Sequence, residues 1–331
     1  MDRILMGAAD KLTLVYEPDL RQRLGLVTGA EATKKEILEH PAAFAGVRFI
    51  FATWGMPHFE EAEIKTYLPS LEAVFYAAGS VQSFAREFLD CGVKVFSAWA
   101  ANAVPVAEYT VAQITLACKG YFAGERLYRA THSKRDAVRF CAAYPGNYRT
   151  TVGLLGCGMI GRMVARALVE RAYNVLVYDP FLPDERAAEL GVQRVETLEE
   201  LFSRSSVVSN HMANNAATVG MLRGEHFAMM PPHAVFINTG RGAQIVEAEL
   251  AEVLRVRTDL SAVLDVTYPE PPTDASPFFT LPNVWLTPHI AGSLSGECVR
   301  MAEYMCEEYE RLMHGEPTRF GVTEKMLETM A

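Results

Sequence analysis

Three short apolar runs in this chain each end on residues able to do chemistry. Phe236-Ile237-Asn238-Thr239-Gly240 leads to Arg241; Ala262-Val263-Leu264 leads to Asp265 and, five residues on, Glu270; Val284-Trp285-Leu286-Thr287-Pro288 leads to His289. In a doubly wound sheet, ligands sit outside the carboxyl ends of the strands, so polar residues just beyond strand-length apolar runs are the first candidates. Arginine can hold a carboxylate through two parallel hydrogen bonds. Histidine can give a proton to a carbonyl oxygen or take one back, and a carboxylate beside it orients the ring and stabilises its protonated form. Taken singly, Arg241 reads better as an exposed turn residue, Glu270 as a charged loop residue between prolines, and Asp265 as a cap. Arg241, Glu270 and His289 together, following successive strands, make a proton-transfer and carboxylate-binding set.

What such a set acts beside is indicated upstream. The run Val152-Gly153-Leu154-Leu155 breaks into Gly156-Cys157-Gly158-Met159-Ile160-Gly161, the GxGxxG spacing of a loop that cradles a dinucleotide pyrophosphate. The first glycine permits a tight turn, the second lets backbone approach the phosphates, and the third lets the next helix pack on the sheet. Met159 to Ala172 has helical periodicity, so the amides at Met159 and Ile160 and the positive end of the helix dipole face the anion. The next apolar run, Val175-Leu176-Val177-Tyr178, ends at Asp179, 23 positions after Gly156. That is close to the spacing of about 20 at which an acid meets the adenosine ribose hydroxyls. Asp179 also reads as an ordinary cap for the turn into Pro180. As a ribose ligand it repels a 2′-phosphate, and the turn that follows it carries no Arg or Lys before Arg186, so NAD is expected rather than NADP. An arginine, a glutamate and a histidine beside a nicotinamide are what interconversion of 2-keto and 2-hydroxy acids requires, the hydride belonging to the cofactor.

These residues must be carried by alternating strands and helices, which implies parallel sheets and an α/β fold. Strands are expected near Arg3–Met6, Val47–Ala52, Ala73–Ala77 and Val93–Ser97, with helices at Lys34–Glu39, Glu60–Leu68 and Val81–Leu89. Pro105 is read as opening a long apolar helix from Val106 to Cys118. Beyond Asp179, strands are expected near Val207–His211, Ala234–Asn238, Ser261–Val266 and Val284–Thr287, and a last helix from Gly296 to His314. At 331 residues, 50% of them hydrophobic, the chain has room for two domains with substantial cores. A net charge of −9, spread along the chain, argues against nucleic-acid and membrane partners. Met1 to Ala9 lacks the pattern of a secretory leader and no apolar run reaches membrane-spanning length, so the expected compartment is cytoplasmic. Cys91, Cys118, Cys141, Cys157, Cys298 and Cys306 have no CxxC or zinc spacing and are read as free thiols; no metal site is expected. His40, His58, His132, His211, His226, His233 and His314 have no partner constellation and are read as structural or solvated.

The motifs Gly156 to Gly161, Asn238-Thr239-Gly240-Arg241-Gly242, Leu264-Asp265-Val266-Thr267-Tyr268-Pro269-Glu270-Pro271 and Thr287-Pro288-His289-Ile290-Ala291-Gly292 together resemble those of the D-isomer-specific 2-hydroxy acid dehydrogenases, over nearly the whole chain. The resemblance implies that Arg241 binds the substrate carboxylate and polarises the carbonyl, that His289 is the acid/base with Glu270 as its partner, and that Asp265 holds the nicotinamide carboxamide, with Thr239 among the cofactor contacts. It implies two doubly wound domains: a flavodoxin-like substrate domain of residues 1–100 plus 296–331, and an NAD-binding Rossmann domain of residues 101–295 inserted into it. It further implies an active site in a cleft that closes to exclude water, and a homodimer formed through the bridging helix and the segment Tyr121 to Tyr148.

Some residues depart from the family pattern. Where the family commonly carries an Asp-Asn pair after a glycine, this chain has Ala77-Ala78-Gly79-Ser80-Val81-Gln82, so the backbone amides of Ala78 and Gly79 are the expected carboxylate ligands on that side. Asn102 matches the family's Asn before the bridging helix and is expected to fix that loop. Trp54 reads either as a cover for the pocket or as domain packing, and Gly240 replaces a common Ala. Two other readings share the architecture. Formate or phosphite dehydrogenases do, but formate oxidation needs no Glu-His pair. The NAD(H)-sensing carboxyl-terminal binding co-repressors keep the Arg, Glu and His and do not depend on turnover.

Overall fold

A computed structural model of the chain describes residues 2–26 and 29–327; positions 328–331 of the expected 296–331 segment lie outside the described residues. The chain divides into two compact units, Met1–Ala103 with Ser293–Ala331, and Val104–Gly292.

In the first unit, strands Arg3–Met6 (β1), Phe49–Ala52 (β2), Ala73–Tyr76 (β3) and Lys94–Ser97 (β4) run parallel in that spatial order. A single parallel bridge from Leu5 to Glu31 stands beside β1, where the doubly wound order 2-1-3-4-5 puts its second strand. The two-residue alternation of a strand sorts side chains to opposite faces. Ile50 and Ala52 therefore enter one core with Ile4, Met6 and Val74, while Phe49 and Phe51 enter the other with Leu5 and Phe75. Helix Cys298–His314 covers the second face through Met301, Met305 and Tyr309, whose ring stands edge-on 5.3 Å from Phe51. Glu308, wholly buried, accepts the Arg319 N–H at 2.7 Å and the Phe320 N–H at 3.0 Å, leading the tail into a short antiparallel strand, Gly321–Val322, on β4.

The second unit is a seven-stranded parallel sheet of Thr151–Leu155 (β5), Asn174–Tyr178 (β6), Gln193–Arg194 (β7), Val207–Asn210 (β8), Val235–Asn238 (β9), Ser261–Leu264 (β10) and Val284–Leu286 (β11). Its order is β11-β10-β9-β8-β5-β6-β7. The chain reverses direction of travel between β5 and β8, which makes the end of β5 the switch point where doubly wound sheets bind ligands. Strands buried on both faces read as continuous apolar runs, which is why they were legible.

The expected α/β class with parallel sheets is what the structure shows, with corrections at element ends. Pro105 does not open the long helix. That helix runs from Trp99 to Cys118 with Pro105 inside it. An interior proline removes one i→i−4 bond and costs about 3 kcal/mol; here the preceding turns bury Ala100, Ala101 and Ala103, and this packing holds them helical. The helix expected from Val81 begins only at Ala85, and the one read to Ala172 ends at Glu170, Ala172 having left it with φ of 62°. Among the described residues no helix is long and apolar enough to cross a membrane.

Candidate active site

The three glycines of the loop at the end of β5 differ in what surrounds them. Gly156 has φ of 86°, and a Cβ there would lie 2.9 Å from the carbonyl oxygen of His211. A Cβ on Gly161 would lie 2.2 Å from the carbonyl oxygen of Gly156, so helix Met159–Glu170 can approach the loop only without a side chain at that position. Gly158, the helix N-cap, has ordinary negative φ and would meet nothing within 4 Å. Among the described residues nothing excludes a side chain from Gly158, and the open space at the positive end of the helix is where a pyrophosphate would be held. Asp179, directly after β6, accepts the Cys157 N–H at 2.7 Å on Oδ2 and the Phe181 N–H at 2.8 Å on Oδ1. The acid and the glycine loop are thereby locked together, with carboxylate lone pairs left over for a ligand. Burial pushes the Cys157 thiol up to about 11, so at neutral pH it is not a thiolate nucleophile. His211, beside the same loop, is held neutral by burial, which lowers it to about 4, and its Nε2 lies 3.0 Å from Ser209 Oγ.

Arg241 is positioned by a buried polar network at the ends of β8 and β9. Asn210 and Asn238 are paired in register, and Asn210 Nδ2 donates to Asn238 Oδ1 at 2.9 Å and to Gln244 Oε1 at 2.6 Å. Asn238 in turn accepts the Gly240 N–H at 3.0 Å and donates to the Arg241 carbonyl at 3.1 Å, so the turn bearing Arg241 is clamped from inside. The guanidinium donates Nη1 to the Gly240 carbonyl at 2.8 Å, its one side-chain hydrogen bond among the described residues. Burial lowers its pKa from the ordinary arginine value, and the charge of Glu270 partly opposes that. A desolvated cation with most of its donors unspent is a seat for an anion.

The Glu270 loop lies against the Arg241 loop. A Cβ on Gly242 would sit 2.0 Å from the Thr267 carbonyl carbon, so the backbones touch. Glu247 accepts the Tyr268 N–H at 2.8 Å and Thr267 Oγ1 donates to the Pro269 carbonyl at 3.0 Å, bracing the loop on both sides of Tyr268. Glu270 Oε1 lies 2.5 Å from His289 Nδ1, both side chains half-exposed. His289 itself has φ of 55°, a left-handed conformation that costs a non-glycine residue about 1–2 kcal/mol. Asp265 supports it. The His289 N–H donates to the Asp265 carbonyl at 2.9 Å. The Asp265 carboxylate, 2% exposed, accepts Thr287 Oγ1 at 2.6 Å, the Ile290 N–H at 2.8 Å and the Ala291 N–H at 2.9 Å. Thr239, also buried, shares a 3.0 Å hydrogen bond with Thr110 of the long helix.

The second unit thus brings Arg241, Glu270 and His289 to one sheet edge, with Asp265 beneath the histidine turn. In the first unit, Ala78 and Gly79 follow β3, and a Cβ on Gly79 would lie 3.6 Å from Asn102 Nδ2. Asn102 Oδ1 accepts the Ser293 N–H at 2.9 Å. Trp54 is half-buried and packs on the cores of both faces of its sheet. Sequence reasoning missed Asn210, Gln244, Thr287 and Glu247 as supports, because each acts through a partner more than twenty residues away in the chain. The available signal was that β8 and β9 both end in Asn after an apolar run, a match visible only once the two strands are paired.

Residues 111–291 match the description "D-isomer specific 2-hydroxyacid dehydrogenase, NAD binding domain". Among relatives, the chain is 29% identical over 237 residues to a D-3-phosphoglycerate dehydrogenase of Archaeoglobus fulgidus, covering 72% of this chain and 44% of that protein. It is 34% identical over 200 residues to an (S)-sulfolactate dehydrogenase of Chromohalobacter salexigens, covering 60% of this chain and 63% of the other. The chain spans about half the length of the curated relatives it matches. Its fold is similar to the apo structure of Rhodotorula graminis D-mandelate dehydrogenase, with a TM-score of 0.80, 22% identity and 97% of each chain covered.

Proposed function

Since the chain belongs to the D-isomer specific 2-hydroxyacid dehydrogenase family, we propose that it is an NAD-dependent oxidoreductase interconverting a 2-keto acid and a D-2-hydroxy acid. The observation that carries this is the 2.5 Å Glu270 to His289 pair next to the unspent, desolvated guanidinium of Arg241. In this reading the second unit holds the cofactor through the glycine loop and Asp179, and the first unit supplies the substrate-side loop Ala78–Gly79. NADH, when bound, supplies the hydride.

The protein's own part is positioning and proton transfer. Arg241 grips the substrate carboxylate and draws charge toward the carbonyl oxygen as it becomes negative. His289, with Nδ1 committed to Glu270, offers Nε2 and delivers its proton to that oxygen; in the reverse direction it takes the hydroxyl proton. Glu270 orients the ring and stabilises its protonated form. Asp265 acts first as a positioning residue for the His289 turn, and its remaining lone pair is the candidate for the nicotinamide carboxamide; Thr239 stands beside it on the cofactor side. The reading as an NAD(H)-sensing regulator is not favoured, since the relatives named above are dehydrogenases. We further propose a cytoplasmic homodimer. Six free cysteines suit a reducing compartment. Tyr121, Tyr128, Val138 and Tyr148, each at least half exposed, supply the segment from helix Tyr121–Thr131 to Tyr148 with exposed apolar side chains that a second copy would cover.

Incubation with NADH and a 2-keto acid, followed by chiral separation of the product, is expected to yield the D-2-hydroxy acid; the L enantiomer would contradict the assignment. Glu270→Gln replaces the carboxylate that orients the His289 ring with a neutral amide, so kcat for reduction is expected to fall about ten- to a hundredfold, with NADH affinity unchanged. Native kcat in the variant removes Glu270 from the mechanism.

A further inference from the structure

We propose that Ser97 is a positioning residue that presets the backbone N–H groups of Gly79 and Ser80 as a two-pronged seat for the substrate carboxylate, with Thr53 steadying the peptide before them. The proposal rests on the assignment of the Ala78–Gly79 loop to substrate binding made above, and replaces the Ala78 amide expected from sequence with that of Ser80. β3 lies between β2 and β4, so the loop after it is flanked by the ends of both neighbours. Thr53 directly follows β2, Ser97 is the last residue of β4, and both are wholly buried. Thr53 Oγ1 donates to the Ala77 carbonyl at 3.0 Å. Ser97 Oγ lies 3.0 Å from the Ala78 carbonyl and 2.6 Å from the Gly79 carbonyl, one hydroxyl serving two successive peptides.

The consequence follows from peptide geometry. In a planar trans peptide the C=O and the next N–H point in opposite directions. Holding the Ala78 and Gly79 carbonyls on Ser97 therefore turns the N–H groups of Gly79 and Ser80 to the same side, away from the buried hydroxyl. Neither N–H donates to another described residue. Two successive N–H groups aimed one way form an anion-binding concavity, and two donors match the two oxygens of a carboxylate. The neighbours Ala77, Ala78 and Gly79 are small, so a ligand can approach the backbone. This fixes the loop without the Asp-Asn pair that the family pattern carries there.

The test uses the full-length protein loaded with NADH and, as probe, oxamate, an unreactive keto-acid mimic. Ser97→Ala is expected to raise the oxamate Kd and the keto-acid KM about tenfold, the worth of one neutral hydrogen bond's alignment. Its kcat should stay within about twofold, with NADH affinity unchanged. Ser97→Thr, which keeps the hydroxyl, should recover most of the affinity. Native oxamate affinity in Ser97→Ala overturns the proposal, as does a fall in kcat with KM unmoved. Hydrogen exchange on the unaltered protein reads the same geometry whether or not the variant folds: oxamate should protect the Gly79 and Ser80 amides, and exchange indifferent to oxamate overturns it. A wild-type protein that binds NADH but neither binds oxamate nor turns over any keto acid overturns the functional assignment, and this proposal with it.

Discussion

Arg241→Ala should lower kcat/KM for the preferred 2-keto acid about a thousandfold or more, while NADH affinity and thermal stability stay close to native. Removing a single preorganised donor from a developing oxyanion typically costs about 10²- to 10³-fold in kcat, and Arg241 is assigned both that duty and the carboxylate grip. The structure separates this from a folding defect. The guanidinium's one side-chain hydrogen bond among the described residues goes to the adjacent Gly240 carbonyl, and the turn itself is held by Asn238 and Asn210. Truncating the side chain thus leaves its support intact. Arg241→Lys keeps the charge but loses the planar fork, so an intermediate loss is expected. Near-native kinetics in Arg241→Ala, with a panel of keto acids and matched thermal melts, would sink the assignment.

The glycine loop makes a second, paired prediction in which two glycines three residues apart fail for different reasons. Gly161→Ala forces a methyl to within 2.2 Å of the Gly156 carbonyl oxygen, a backbone atom that cannot swing aside. Helix Met159–Glu170 must shift, at a cost of about 1–3 kcal/mol and several degrees of melting temperature, and NAD binding should go with it. Gly158→Val places its Cβ where no described residue lies within 4 Å and has no left-handed backbone to strain. Its melting temperature should be near native, yet NADH affinity should fall about a hundredfold because the side chain occupies the phosphate's place. Thermal melts with and without NADH, beside calorimetric titration, distinguish the two. Gly158→Val binding NADH as tightly as the wild type would remove the pyrophosphate from that loop.

The parts of the molecule legible in its sequence are those governed by local physics. The apolar runs of β5, β9 and β10 and the glycines at 156, 158 and 161 announce themselves because burial on both faces and steric exclusion act within a few residues. Arg241, Asp265 and His289 stand out as candidates for a related reason, each coming within three residues of a strand's end, while Glu270, six residues past β10, is singled out only by its company. What was not legible depends on partners distant in the chain. Pro105 reads as a helix start because the proline rule is local, while the burial of Ala100, Ala101 and Ala103 that keeps the earlier turn helical is tertiary. Asn210 and Gln244 lie 34 residues apart and acquire a role only when they meet at the β8 and β9 ends. Thr53 and Ser97 are unremarkable in sequence; strand order alone brings them to either side of one loop. Helices Tyr121–Thr131 and Lys134–Cys141 escaped a strand-and-helix reading because they belong to neither sheet's alternation.

The most direct test of the central claim is the rate of NADH oxidation against a panel of 2-keto acids, from glyoxylate and hydroxypyruvate through pyruvate to bulky aromatic and sugar-derived acids, with NADPH in parallel. Turnover of at least one acid is expected, with NADH preferred over NADPH because Asp179, as the proposed ribose ligand, would repel a 2′-phosphate. Tight NADH binding with no turnover across the panel would contradict it and return the weight to a cofactor-sensing role on the same fold.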